Sequence, residues 1–343
     1  MQRGKRTLET ATIPDDSEPL DRKKHKQADQ LDFLHISNEC KTDAIYNHYQ
    51  SEFRRIAHGL LNGAWILSIK SLDGVMHQYK IVEIEFYLRH LPQHIDPFSH
   101  ARESQLEFGK FCFHKRGNSY AGGTWKGLDI SFGCSGDPDT PAIDNGPRGI
   151  MRTNAFHAGI LIRSIMNIET NEVVEGPCKC VDKILKILKA KDVADLVSNI
   201  LDDDLSITNN TSSLYLSKST IPVVTNEIFE TPRIGLYIRK THKDLKERLG
   251  YVTRLYRFHT QTLSKGKAHT IIGILLPNKQ KAVKTVIDDI VEKTGISKKL
   301  VSECLEAFAK GSKMPYTKFI DMDKGSSQNI CQYFGSLYPH CKC

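Results

Sequence analysis

The chain has 343 residues and a formal net charge of +8, with 39% hydrophobic and 26% charged residues. That is length for about two domains of roughly 150 residues, in a balance that fits neither a fibrous nor a wholly disordered chain. The positive balance favours a polyanionic partner, because neutralised phosphates release counterions, although a mildly basic protein with no such partner carries the same charge.

Residues 1–36 mix Pro, Asp, Ser, Lys and Arg with few aromatics. They read as a disordered basic tail that cannot bury enough apolar surface to offset ordering. The opening MQRGKRTLET has no apolar signal region, and the longest apolar run, Ile271 to Leu276, stops at Pro277 far short of a bilayer span. Secretion and membrane contact are therefore not expected, and the nine cysteines read as reduced thiols. Arg22-Lys23-Lys24-His25-Lys26 reads as a nuclear-import address, giving a nuclear or nuclear and cytoplasmic location, as a phosphate contact, or as a solvated charge run.

From Ala44, the residues Tyr46, Tyr49, Phe53, Ile56, Leu60 and Leu61 recur at spacings of three and four, which predicts a helix ending near Asn62-Gly63. Trp65, Leu67 and Ile69 then alternate, Leu72-Asp73-Gly74 turns, and Lys80 to Tyr87 returns as the second strand of a hairpin. Further short strands are predicted at 111–114, 128–132 and 159–165, and helices around 180–188 and 193–201. Cys134 to Arg152, rich in Gly, Pro and Asp, reads as a long loop. With no internal repeat and no βαβ alternation, the expected class is α+β: a single compact domain with a curled, mostly antiparallel sheet and packed helices, plus a small C-terminal helical extension.

After Arg257-Phe258 the chain turns lysine-rich, and two amphipathic segments, Lys281 to Glu292 and Ser297 to Lys310, flank Thr294-Gly295-Ile296. Gly295 ends one helix and Ser297 caps the next. The run KTVIDDIVEKTGISKKLVSECLEAFAKG resembles the helical half of the HU histone-like family, without its basic β-arms. That resemblance implies a homodimer through the C-terminal helices more than DNA reading.

Period 2 places Glu83, Glu85 and Tyr87 on one strand face, opposite Val82, Ile84 and Phe86. A carboxylate beside an aromatic there faces either water, as the solvated side of an antiparallel strand, or a site. His94-Ile95-Asp96-Pro97-Phe98-Ser99-His100 adds imidazoles beside a proline turn.

Seven segments occur in order: IAHGLLNGAWILSI, KIVEIEFYL, DPFSHARES, GILIRSI, EGPCKCVDKIL, TPRIGL and Tyr256-Arg257-Phe258. Together they resemble the 3-methyladenine (alkyladenine) DNA glycosylase family over more than half of the chain. The resemblance implies a glycosylase-like domain over 37–262 and a lysine-rich helical extension over 263–343. It implies hydrolysis of the N-glycosidic bond of an alkylated or deaminated purine flipped out of double-stranded DNA, as in base excision repair. In that reading Glu85 matches the general base that activates water, Arg163 its electrostatic partner, and Tyr87 and His100 the pair that holds the base. No cofactor and no metal are implied.

Departures from the family concentrate in Ser119 to Gly127. Tyr120 matches the first pocket tyrosine, Gly122 replaces the second, and Trp125 stands where the DNA wedge belongs. Phe132 falls about where the family has an asparagine. Asp129 adds a carboxylate that either shapes a different pocket or sits in a turn. The 134–152 loop is an insertion. Two other readings remain open: an N-glycosidase of the same fold acting on nucleosides or RNA, and a noncatalytic nucleic-acid-binding protein. A zinc site at Cys331, His340, Cys341 and Cys343 is disfavoured by its spacing. Cys178 and Cys180 read as packed thiols rather than reactive ones, despite a helix start that can lower a thiol pKa.

Overall fold

Phe53 stacks on Phe86 with ring centroids 4.5 Å apart, and around this contact a helix meets a sheet. The structure, a computed structural model, describes residues 31–36, 45–144, 150–152, 154–220, 227–242, 244–322 and 325–340. The nuclear-import motif therefore lies outside the described residues, as do Cys341 and Cys343.

Helix α1, Ile45–Leu61, buries Tyr49, Phe53, Ile56, Ala57, Leu60 and Leu61 along one stripe, and the chain leaves it through Gly63 at φ +83°. That left-handed conformation suits glycine, which has no Cβ to clash. The sheet beneath has ten strands. They are β1 Trp65–Lys70, β2 Met76–His90, β3 His94–Ile95, β4 Phe108–Phe113, β5 Leu128–Phe132, β6 Phe156–Asn167, β7 Val173–Glu175, β8 Leu214–Lys218, β9 Phe229–Thr231 and β10 Arg257–His259. The main path runs β8-β1-β2-β6-β5-β4, and its pairings are antiparallel. Strand β2 organises it. On one side β2 pairs with β6 along most of its length; on the other it pairs first with β1 and then with β10 and β3. A strand that changes partners midway lets the sheet curl around α1. The fold is α+β, as the patterning predicts.

Two apolar cores result. The larger draws on α1, β1, β2, β4, β5, β6, β8 and Phe258 of β10, together with helix α2, Pro177–Leu188. The second reaches from Phe229 to Leu337 and joins α3 Leu245–Val252, α4 Lys267–Leu275, α5 Val283–Thr294, α6 Lys298–Gly311 and α7 Ser327–Leu337. The α5–α6 hairpin turns at Gly295, φ +66°, and Ser297 Oγ accepts from Leu300 N as expected of its cap. Its apolar residues Val286, Ile290, Val301, Cys304 and Phe308 are taken up within the chain, beside Cys331 and Phe334 of α7.

Several elements depart from the sequence pattern. Helix α4 is absent from it because every residue from Ala268 to Leu275 is buried, leaving no polar stripe to mark a helical period. Residues 31–36 are not part of a loose tail: Leu31 and Leu34, three apart on a helical turn, are 6% and 0% exposed and join the larger core. The expected helix at 193–201 is a single α-turn, Val193–Asp195, that widens into a π-helical stretch, Leu196–Ile200. The 134–152 loop holds a short strand pair, Ala142–Asp144 with Ile150–Arg152. Among the described residues, no helix is long and apolar enough to cross a membrane.

Candidate active site

The alternation of β2 decides which side chains enter the site. Ile84, Phe86 and Leu88 point into the larger core, so Glu83, Glu85 and Tyr87 occupy the other face. That face is not solvated. Glu83 is 3% and Glu85 0% exposed, because β10 and the segment after β9 lie against it.

A bulge supplies the compensating charge. Between Ile162 and Ser164 the β6–β2 register shifts, and the extra residue is Arg163. A bulge lets consecutive side chains reach one side. Arg163 Nε donates to Glu83 Oε1 at 3.1 Å and its Nη1 to Glu85 Oε2 at 3.1 Å, while Ser164 Oγ donates to Glu83. From β10, Arg257 Nε donates to Glu83 Oε1 at 2.6 Å and Nη1 to Thr231 Oγ1 at 2.9 Å. Tyr87 Oη donates to Glu85 Oε2 at 2.8 Å, and the backbone N–H of Ile234 to Glu85 Oε1 at 2.7 Å. Beside them Arg233 forms a fork onto Asp96, at 2.6 and 3.2 Å, and its guanidinium lies 4.6 Å from the Tyr87 ring centroid.

The carboxylates of Glu83, Glu85 and Asp96 thus meet the guanidiniums of Arg163, Arg233 and Arg257 in near absence of water. Buried charge is tolerable only when paired and hydrogen-bonded. Burial alone would raise the Glu83 pKa, but Arg257 and Arg163 outweigh it and bring it down to about 2. Burial and the adjacent Glu85 push the Tyr87 phenol well above its ordinary value, so it stays a donor.

A pocket of about 300 Å³ is lined by His100, Arg102, Gln105, His114, Trp125 and Asp129, among others; Glu85, Tyr87 and Arg163 are not in its lining, so the structure does not bring Tyr87 and His100 into one pocket. Asp129 is buried, accepts from His114 Nε2 at 2.9 Å and lies 3.4 Å from Gln105 Nε2. Of the alternatives for this carboxylate, it therefore belongs to a pocket on strand β5, not to a turn. Asp129 pairs with Leu161, and Leu161 with Glu85. Residues directly opposite across strands share a face, so both carboxylates stand on one side of the sheet with β6 between them. Gly159, paired with Tyr87 and Ser131, forms the adjoining floor. A Cβ there would come within 2.9 Å of Asp129 Oδ2 and of Gln105 Nε2.

The remaining expected residues fall in two places. His100 and Trp125 line the pocket, His100 with its ring 6.3 Å from His114, and Trp125 65% exposed at the rim with the Arg116 guanidinium 5.2 Å from its ring. Tyr120 is not brought to them. It sits on a small hairpin, packed edge-on to Phe113, and faces a neighbouring depression with Gly122 and Lys126. Its side of the hairpin is set by the pairing of Lys115 with Tyr120. Cys180 is buried, and burial pushes its thiol up to about 12, so the helix start does not activate it.

No known protein-family model matches the chain. Over 185 residues it is 34% identical to uncharacterized protein L759 of Acanthamoeba polyphaga mimivirus, covering 54% of this chain and 78% of the viral one. The chain belongs to the family of that viral protein. In this member of the L759 family, Glu83, which the strand alternation places on the Glu85 face, belongs to the cluster, and so do residues to which the sequence assigns no role: Asp96, Arg233 and Arg257, with His114 in the pocket. Arg233 and Arg257 stand within the quoted segments TPRIGL and Tyr256-Arg257-Phe258, and a charged residue in an otherwise apolar stretch was their only mark. His114 carried no mark, since its partner lies fifteen residues away on the next strand.

Proposed function

We propose that the chain is a hydrolytic N-glycosylase that removes a damaged purine flipped out of double-stranded DNA. The observation that carries this reading is the environment of Glu85: a buried carboxylate held by Arg163, Tyr87 and the Ile234 N–H, two strands away from Asp129 of a polar pocket. Cleaving the bond between base and sugar requires water to reach C1′ as the base leaves, and a positioned carboxylate takes the proton that water loses. Arg163 holds that carboxylate in place. Tyr87 and His100 would hold the extruded base, and each base stacked on an aromatic face recovers roughly 1–3 kcal/mol of the cost of unstacking.

The pocket rim suits a nucleic acid. Arg102, Lys115 and Arg116 line it together with the exposed Trp125, and cations around an exposed indole match a phosphate backbone with an unstacked base. A dimer through the C-terminal hairpin draws less support, because that hairpin spends its apolar face on α7 and α4 of the same chain.

The test is incubation with duplex oligonucleotides that carry hypoxanthine, ethenoadenine or an alkylated purine, scoring abasic sites for wild type and Glu85→Gln. Wild type should release base and Glu85→Gln should fall by about 10²-fold or more. Release that persists in Glu85→Gln would assign the base to another residue. Turnover of free nucleosides without release from DNA would favour a nucleosidase.

A further inference from the structure

Two cysteines lie where the C-terminal core is tightest. Cys304 of α6 and Cys331 of α7 are both 0% exposed, and the Cys331 thiol donates to the Cys304 sulfur. We propose that this pair is a modification site: a peroxide closes it to a disulfide that ties α7 to α6.

The spacing of the residues brings the two sulfurs together. Cys304, Phe308 and Gly311 follow one another at four and three residues and share one face of α6, while Cys331 and Gly335, four apart, share one face of α7. Those faces meet backbone to backbone, since a Cβ on Gly311 would lie 2.0 Å from Gln332 O and one on Gly335 2.1 Å from Phe308 O. Packed helices ordinarily keep their axes about 8–10 Å apart. The two glycines let these come closer, toward the Cα separation of about 4.4–6.8 Å that a disulfide spans. Elsewhere, Cys112 and Cys180 give their thiols to backbone carbonyls, whereas Cys331 gives its own to a second thiol.

That hydrogen bond divides the chemistry between the two. It favours the Cys304 thiolate and holds its pKa below the ordinary value, while the same contact and burial keep Cys331 well above. The thiolate is the form that reacts, and local opening of the crossing admits the peroxide. The Cys304 sulfur bonds to one peroxide oxygen, the O–O bond breaks, and the departing oxygen takes the proton that Cys304 gave up and leaves as water. The Cys331 sulfur then attacks the resulting sulfenic acid. The S–S bond forms, the S–O bond breaks, and the hydroxide takes the Cys331 proton and leaves as a second water. The sulfurs together lose two electrons, and the peroxide gains them.

What the disulfide would brace reaches the candidate active site. Tyr333 Oη, two residues after Cys331, accepts from Ile238 N at 3.2 Å. Ile238 closes the segment whose Ile234 N–H holds Glu85. Phe334 packs edge-on against His269, with ring centroids 5.5 Å apart. None of this depends on the glycosylase reading.

The test uses the full chain under native conditions. Wild type is treated with hydrogen peroxide, free thiols are blocked, and the digest is mapped by mass spectrometry with and without reduction. The expected result is a peptide pair joined through Cys304 and Cys331 that separates on reduction, with a higher urea midpoint for the oxidised protein. Exposed Cys134 reports that the oxidant has acted. Cys304→Ser and Cys331→Ser should each lose both the link and the rise, and wild type alone decides the matter if neither variant folds. Recovery of Cys304 and Cys331 as free thiols while Cys134 is oxidised, or their linkage to other cysteines, would overturn the proposal. A link that forms without raising the urea midpoint would overturn the bracing of α7.

Discussion

The guanidinium of Arg163 reaches the carboxylate of Glu85 at 3.1 Å, and it does so while its Nε holds Glu83 at the same distance. One cation serves two buried anions, and only a planar fork has that geometry. Replacing Arg163 with Gln should therefore cost about 3–5 kcal/mol, the range for breaking a buried pair, read as the shift in urea unfolding. Arg163→Lys should recover part of this at most, since an ammonium is a point donor. A variant as stable as wild type would mean that the two carboxylates do not depend on Arg163.

Acid should destabilise the protein in two separable windows. His94, His259 and His269 are buried, and burial lowers their pKa values to about 4, 3 and 3. The unfolded chain binds protons at these positions from about pH 6.5 downward and the folded chain does not, so stability falls as pH falls below that value, by up to about 1.4 kcal/mol per pH unit and group. Glu83 has its folded pKa depressed to about 2, so its contribution is present above the ordinary carboxylate pKa and is lost as pH falls toward 2. Urea titrations at pH 7, 6 and 5 should give a shallower slope for His269→Asn than for wild type. Identical slopes would show that His269 titrates alike in both states.

Trp125 offers a way to separate binding from folding. It is 65% exposed at the pocket rim, with the Arg116 guanidinium 5.2 Å from its ring, so Trp125→Ala should leave the unfolding free energy within about 0.5 kcal/mol. Binding to a duplex with a damaged base should weaken by about 1–3 kcal/mol if the indole stacks on a base or fills its place. Fluorescence anisotropy with labelled duplexes measures this, and an unchanged affinity would remove Trp125 from the interface.

The C-terminal core depends on two glycines. A Cβ on Gly311 would lie 2.0 Å from Gln332 O, and one on Gly335 2.1 Å from Phe308 O, so α6 and α7 cross with their backbones almost touching. Gly335→Ala should cost about 1–3 kcal/mol through overpacking against a backbone that cannot yield. Chemical denaturation followed at Trp65, far in sequence from this crossing, would show whether the first core unfolds with the second or after it. No loss of stability would mean that the two helices separate freely.

Local periodicity made much of the frame legible in advance. The stripe from Tyr49 to Leu61 marks α1, the alternation from Trp65 to Tyr87 marks the β1–β2 hairpin, and Gly295 with Ser297 marks the turn between α5 and α6. The same period 2 put Glu83, Glu85 and Tyr87 on one face, because side chains alternate whatever the strand is packed against.

What lies against that face is a long-range fact. Nothing near Glu85 in the chain distinguishes a solvated strand from a covered one; β10 and the Ile234 N–H decide it, from about 150 to 170 residues further on. The bulge that turns Arg163 toward the glutamates depends on two strands failing to stay in register, and the pairing of His114 with Asp129 on the meeting of β4 and β5. Helix α4, buried all round, leaves no amphipathic trace. Sequence determined which residues could form elements and which faces they would show, since propensity and period act over a few residues. Only the tertiary structure decided which charges meet, because burial and pairing belong to elements that become neighbours when the chain folds.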